Sequence, residues 1–317
     1  MVKSLFLDHD GGVDDLLSLL LVLTMEDVEL LGVAVTPADC YPMYAVEASR
    51  KIIDLMGQAH VTVAESDVRG INAFPSEWRS SPQIINALPP LLNIINIQSP
   101  LGVHPATDFI VETLQAAPEP VTYLMTGPGT TLVSALQQEP TLRKKIAEVV
   151  WMAGAVDVPG NVAMHTHNGT AEWNVYWDAV SAQWLLEQNL PLTLFSLDIT
   201  NHVPVGMDFL RKLARQSHYA VSNLASVAWA ITVNAIPSYE YLYHMWDVMA
   251  TSYVGRPELF TTKRVELSAS TLPPNEGQTL RSPGSGHWVN VVRTAEVEKF
   301  YEYLLEQFRR DFYAREL

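Results

Sequence analysis

Asp8-His9-Asp10-Gly11-Gly12-Val13-Asp14-Asp15 is the stretch from which the rest of the chain is read. It follows directly on the apolar residues 4–7 and leads into residues 14–23, whose apolar positions recur at helical spacing. A buried strand, a tight turn and a helix are therefore expected in that order. Gly11 and Gly12 permit the turn. Asp14 and Asp15 open the helix, whose dipole favours a negative charge there by about 0.3–1 kcal/mol. In an extended segment Asp8 and Asp10 point the same way. Four carboxylates within eight residues carry more negative charge than a helix end offsets at low dielectric. A hard divalent cation with oxygen ligands resolves that conflict; the alternative is a solvated loop with a helix cap.

Further strand-like runs occupy residues 28–35, 121–125, 147–152 and 190–197. They are rich in Val, Leu and Ile with weak alternation, as strands buried on both faces are. Helical periodicity fits residues 45–56, 107–116, 131–136, 179–187 and 295–310. This alternation predicts an α/β fold, a Rossmann-like open, mostly parallel sheet flanked by helices. Such sheets bind ligands at the carboxyl ends of their strands. Polar chemistry stands at those ends: Thr36-Pro37-Ala38-Asp39, Thr126-Gly127-Pro128-Gly129, Met152-Ala153-Gly154 and Asp198-Ile199-Thr200. Residues 72–105 hold six prolines, Pro75, Pro82, Pro89, Pro90, Pro100 and Pro105, and read as a long surface excursion lining the mouth of a site. Residues 271–286 read as a second. With no internal repeat and no composition break, residues 1–317 are expected to form one domain carrying these two insertions.

The bulk composition narrows the partners. Of 317 residues, 48% are hydrophobic, and 20 Lys+Arg against 35 Asp+Glu give a net charge of −15. Such a surface repels nucleic-acid polymers and anionic membranes but accepts a small neutral substrate or a cation. The single cysteine, Cys40, excludes an internal disulfide framework and a cysteine-rich zinc site; it reads as a small buried hydrophobe. The longest apolar run, residues 16–23, is too short to span a bilayer, and the opening residues lack a signal-peptide core. A cytoplasmic protein is expected.

Taken together, these residues resemble the inosine-uridine nucleoside hydrolase family. Its opening motif, Asp-x-Asp-x-Gly-x-Asp-Asp, is met by Asp8, Asp10, Gly12, Asp14 and Asp15. Thr126-Gly127-Pro128 is similar to its second landmark. Gly160-Asn161-Val162 and Glu172-Trp173-Asn174-Val175-Tyr176-Trp177-Asp178 resemble its sugar-binding segment, and Trp246-Asp247 its late aspartate. The landmarks run in family order from Leu5 to Asp247; beyond that the match is loose.

The resemblance implies an enzyme that hydrolyses the N-glycosidic bond of a ribonucleoside with a water activated by Ca²⁺. Asp10, Asp15, Asp247 and the Thr126 backbone carbonyl would hold the ion, all hard oxygen donors. Asp10 would act as general base. Asp14, Asn161, Glu172 and Asn174 would bind the ribose hydroxyls, which need acceptors as well as donors. The same contacts would steady oxocarbenium-like charge. Met152 would pack beneath the sugar, or else be an ordinary core methionine. The family also implies a homo-oligomer, dimer or tetramer.

Two departures bear on specificity. The family usually has Asn where this chain has Asp39; an acid there adds charge near the metal or favours a different hydroxyl pattern, so Asp39 is counted with the substrate-binding residues. Many members carry His where this chain has Trp246. Similarity to Trp-bearing, purine-preferring members implies leaving-group activation by stacking. His244, one helical turn before Asp247, is a candidate acid, its alternative a histidine satisfied within the fold. Tyr239, Tyr243 and Trp246 recur at helical spacing, as a base-binding wall or a core stripe. Phe74-Pro75-Ser76-Glu77-Trp78-Arg79 reads as a lid or a packed loop. His165 and His167 suggest zinc but lack a third ligand. Two rival classes remain. A metal-dependent phosphatase also places Asp-x-Asp after its first strand, but needs a lysine that is sparse here. A non-catalytic ribose-binding protein would not need Asp10.

Overall fold

Leu5 and Leu7 enter one hydrophobic core, and Phe6 between them enters another, as a strand covered on both faces must. A computed structural model describes residues 2–76, 79, 82–235 and 242–313. Its strands are β1 (Lys3–His9), β2 (Val28–Val35), β3 (Val63–Glu65), β4 (Val121–Met125), β5 (Ile146–Met152), β6 (Leu192–Phe195), β7 (Phe260–Ala269), β8 (Thr279–Arg281) and β9 (His287–Ala295). They form one nine-stranded sheet in the order β3-β2-β1-β4-β5-β6-β9-β7-β8. Pairing is parallel from β3 through β6 to β9, and antiparallel for β9–β7 and β7–β8. The strand order reverses between β1 and β4, the point where open α/β sheets open a crevice for ligands. The aspartate motif leaves β1 there, and Thr126 follows β4 beside it, its N–H donating to the Asp8 carbonyl at 2.9 Å.

Helix α1 (Val13–Val22) starts at this crevice, and all ten of its residues are buried. Helix α2 (Pro42–Leu55) begins on a proline, whose fixed φ and missing N–H suit a first helical turn. The two helices close on Gly11. Its φ is +84°, and any Cβ there would collide with Ala45 and Cys40, so only glycine fits this turn.

The five expected strands appear as β1, β2, β4, β5 and β6, and the six expected helices are present within a few residues of their predicted ends. The proline-rich residues 72–105 differ from expectation. Pro82–Asn86 and Pro89–Leu92 are short helices, with Ile85, Leu88 and Leu91 buried in the main core. Their prolines start helices rather than break them. Residues 271–286 contain β8, which returns against β7 with Ala269 opposite Thr279. No described helix is long and apolar enough to cross a membrane.

Candidate active site

The carboxylates divide into two groups. Asp8, still on β1, accepts from the Thr36 hydroxyl at 2.7 Å and the Tyr123 hydroxyl at 2.8 Å. Thr36 contacts Thr131 at 2.6 Å, and Thr131 donates to Ser66 at 2.8 Å. Asp8 is thus engaged beneath the crevice, and the expectation that it converges with the other acids is corrected: one oxygen is taken by Thr36, just past β2, and the other by Tyr123 on β4. Burial still raises its pKa to about 7.

Asp10, Asp14, Asp15 and Asp247 form the second group, all buried. Asp15 accepts from the Gly12 N–H at 2.8 Å and the Thr126 hydroxyl at 2.5 Å. Asp14 Oδ2 accepts from the backbone N–H of Asp247 at 2.6 Å and of Val248 at 3.3 Å, capping the Trp246–Gly255 helix, while its Oδ1 is buried without a well-formed hydrogen bond. Burial, then the charges of Asp15 and Asp39, hold Asp10 well above the ordinary carboxylate range. Burial, then Asp15, Asp14, Asp10 and Glu172, do the same to Asp247. Asp14 is pushed to about 8 and Asp15 to about 6, both chiefly by burial. Among the described residues no Lys or Arg pairs with these four. Nor do three His, Cys, Asp or Glu side chains among them stand close enough to hold an ion as they are.

The sugar-binding candidates flank this cluster. Glu172 caps the Trp173–Trp177 helix, accepting from Asn174 N–H at 2.9 Å and Gly154 N–H at 2.8 Å; burial raises its pKa to about 7. Asn174 Nδ2 donates to the carbonyls of Thr126 at 2.7 Å and Met152 at 3.0 Å, joining the ends of β4 and β5. Met152 is buried beside it. Asn161 is half-buried, its Oδ1 accepting from Trp173 N–H at 3.2 Å. Asp39 sits half-buried at the lip, its N–H donating to Asp10 Oδ2 at 3.1 Å. A Cβ on Gly12 would lie 2.5 Å from Asp39 Oδ2 and 2.9 Å from Asp15 Oδ2, so these two acids crowd one point.

The inosine-uridine preferring nucleoside hydrolase profile matches residues 5–302. The chain belongs to this family. It is therefore an N-glycosidic hydrolase, and the phosphatase and binding-protein alternatives fall away. A crystal structure of an inosine-uridine preferring nucleoside hydrolase from Bacillus anthracis is 37% identical with a TM-score of 0.92, over 97% of this chain and 99% of that one. Uridine nucleosidase 1 of Arabidopsis thaliana is 23% identical over 330 residues, 95% of this chain and 92% of its own length. A purine-preferring ribonucleoside hydrolase from Gardnerella vaginalis is 21% identical with a TM-score of 0.81, over 97% and 98% of the two chains, and shares the fold.

Around the hydrolase cluster the remaining candidates separate. Trp246 is the first residue of the Trp246–Gly255 helix. His244 precedes that helix and bridges Pro204 in extended form, so the helical spacing read from residue 243 to 247 is corrected: residues 243–245 are set by paired backbone, and the helix begins only at Trp246. Burial lowers the His244 pKa, leaving the imidazole neutral at pH 7. Tyr239, Glu77 and Trp78 lie outside the described residues. Phe74 packs edge-on against Trp173 at 4.8 Å and Trp177 at 5.1 Å, and Arg79 lies over Tyr41 at 4.7 Å. Phe74 thus rests on the Trp173–Trp177 helix. His167 contacts the Glu276 carbonyl at 2.8 Å and accepts from Gly169 N–H at 3.0 Å, a loop tie; His165 is exposed. Cys40 is buried, and burial pushes its thiol pKa up, as a small hydrophobe requires.

Sequence reasoning missed an ionic latch beside the site. Arg281 makes two 2.6 Å bonds to Asp157, and Arg293 pairs with Asp157 at 2.9 Å and Asp198 at 3.5 Å. Asp198 accepts from the N–H groups of Val156 and Asp157, both at 2.9 Å. The latch pins the loop that runs on to Asn161. Asp198 at a strand end was the only signal of it in the sequence.

Proposed function

We propose that this nucleoside hydrolase cleaves ribonucleosides, purine nucleosides preferentially, to ribose and free base, with a water activated at Ca²⁺. The observation that carries the reading is the burial of Asp10, Asp14, Asp15 and Asp247 with no Lys or Arg paired to them among the described residues. Isolated buried carboxylates are costly unless paired or coordinated to a metal, and an all-oxygen donor set suits a hard divalent cation. Asp10, Asp15, Asp247 and the Thr126 carbonyl would hold it, their carboxylates closing up around the charge. When bound, the ion lowers the pKa of a water.

Asp10 would take the proton from the attacking water, a general-base role. Asp14 Oδ1 lacks a well-formed hydrogen bond, with the Trp229 indole N–H close to this carboxylate, and would accept from a ribose hydroxyl, while Oδ2 keeps the helix cap. Asn161, Glu172 and Asn174 would complete the hydroxyl contacts, with Met152 below the sugar. Asp39 adds an acceptor at the lip. Trp246 would stack on the departing base and ease its protonation. A neutral His244 must first acquire a proton before passing one on, so stacking is the main leaving-group device.

The reading extends to a cytoplasmic homo-oligomer of single-domain chains. One continuous sheet supports the single domain, and a lone buried thiol suits a reducing compartment.

The test is release of free base from inosine, guanosine, adenosine, uridine and cytidine, with Ca²⁺ and after chelation. Turnover that chelation removes and Ca²⁺ restores, highest for the purines, is the expected result. Asp10→Ala should lose turnover by about 10²–10⁴ with the fold intact. Chelator-resistant turnover, or an active Asp10→Ala variant, overturns the mechanism.

A further inference from the structure

Asn201 is not part of any sequence motif discussed above, yet it holds the residue proposed to meet the base. Tyr243, His244 and Met245 run beside residues 203–205. Val205 N–H donates to the Tyr243 carbonyl at 2.8 Å, Met245 N–H to the Val203 carbonyl at 3.0 Å, and His244 bridges Pro204. Tyr301 Oη donates to the Pro204 carbonyl at 2.7 Å, fixing the ladder from behind. Just beyond the ladder, Trp246 Nε1–H donates to Asn201 Oδ1 at 3.0 Å. Tyr243 packs edge-on to the indole at 4.9 Å and 72°.

The indole N–H is the one polar handle of tryptophan. With Asn201 holding it, the ring has only its apolar surface to offer. We propose that Asn201 is a positioning residue that fixes the plane of Trp246, so that bases are selected by stacking area and not by a hydrogen bond from the indole. This deepens the stacking role given to Trp246 and rests on it. Larger, two-ring bases gain most from a fixed flat partner.

The experiment compares inosine and uridine across Asn201→Ala, Asn201→Asp, Trp246→Phe and Trp246→Ala variants and the Asn201→Ala/Trp246→Phe double variant. Asn201→Ala should lower kcat/KM for inosine about three- to tenfold, the scale of one hydrogen bond, with uridine nearly unchanged. Asn201→Asp keeps an oxygen acceptor and should restore the inosine-to-uridine ratio. In the Trp246→Phe background, where no ring N–H exists, Asn201→Ala should add no further loss. Equal losses on both nucleosides, or a full Asn201→Ala effect persisting with Phe at position 246, would overturn the proposal. If Trp246→Ala itself harms both substrates equally, the stacking reading falls; if Trp246→Ala is purine-selective and Asn201→Ala is not, only the positioning role falls.

Discussion

Asp14 Oδ2 accepts the backbone N–H of Asp247 at 2.6 Å, joining positions 233 residues apart. The bond caps a helix and, in the same stroke, sets where the Asp247 carboxylate stands relative to Asp10 and Asp15. One aspartate of the opening motif thereby places the acid that completes the cluster.

That cap separates two isosteres. Asp14→Asn keeps an oxygen acceptor for the Asp247 N–H, whereas Asp14→Ala does not. Asp14→Ala should be less stable than Asp14→Asn by about 0.5–2 kcal/mol, the range for losing an N-cap. Thermal unfolding in chelator checks this; coincident melting curves would mean the cap is inert.

The raised carboxyl groups give the metal-free protein a definite pH dependence. Burial raises Asp8, Asp14, Asp15 and Glu172 to about 7, 8, 6 and 7 in the fold, above the ordinary 3.8 of aspartate and 4.5 of glutamate. The folded state then binds more protons than the unfolded chain, so stability falls as pH rises. The contribution of these four groups is greatest below about pH 4, where both states are protonated, and declines up to about pH 8; buried His9, lowered to about 3, opposes them below about pH 6.5 but is one group against four. Unfolding followed from pH 5 to 8 in chelator should show a falling midpoint. Added Ca²⁺ should reverse the trend by binding the native state alone.

Gly12 faces the Asp39 and Asp15 carboxylates at close range. Its φ of −60° is open to alanine, so Gly12→Ala tests space and not backbone strain. The new Cβ would press on the Asp39 and Asp15 carboxylates, an overpacking cost of about 1–3 kcal/mol. Weaker Ca²⁺ binding by calorimetry, alongside reduced turnover, is the expected outcome.

Removing the latch should act on substrate binding. Arg281→Ala leaves Asp157 held by Arg293 alone and loosens the loop leading to Asn161, so KM for inosine should rise more than kcat falls. Asp157 is held down to about 2 by Arg281 first, with Arg293 assisting. Its stabilising contribution is present above the ordinary Asp value and lost as pH falls through about 2; solvent exposure keeps it small. A kcat loss with unchanged KM would deny the loop this role.

The five inner strands were readable because burial on both faces leaves continuous Val, Leu and Ile runs. β7 was not: Thr261, Thr262, Lys263 and Arg264 are exposed, so its first half looks like loop. β3 is only three residues long, too short to show a period. Asp10, Asp14 and Asp15 were readable as a charge conflict. The diversion of Asp8 was not, since Thr36 just past β2 and Tyr123 on β4 are distant in sequence and carry no local signature. The spacing of His244 and Asp247 suggested a helical turn because periodicity alone cannot detect that residues 243–245 pair with residues 203–205.

Helix α1 has no face toward solvent, and that divides the molecule into parts that tolerate change and parts that do not. A rod gripped on every side offers no position for a label, a tag or a compensating substitution. Retargeting this hydrolase to another nucleoside is work for the rim, at Phe74, Asn201 and Trp246, while the buried floor around α1 is left intact.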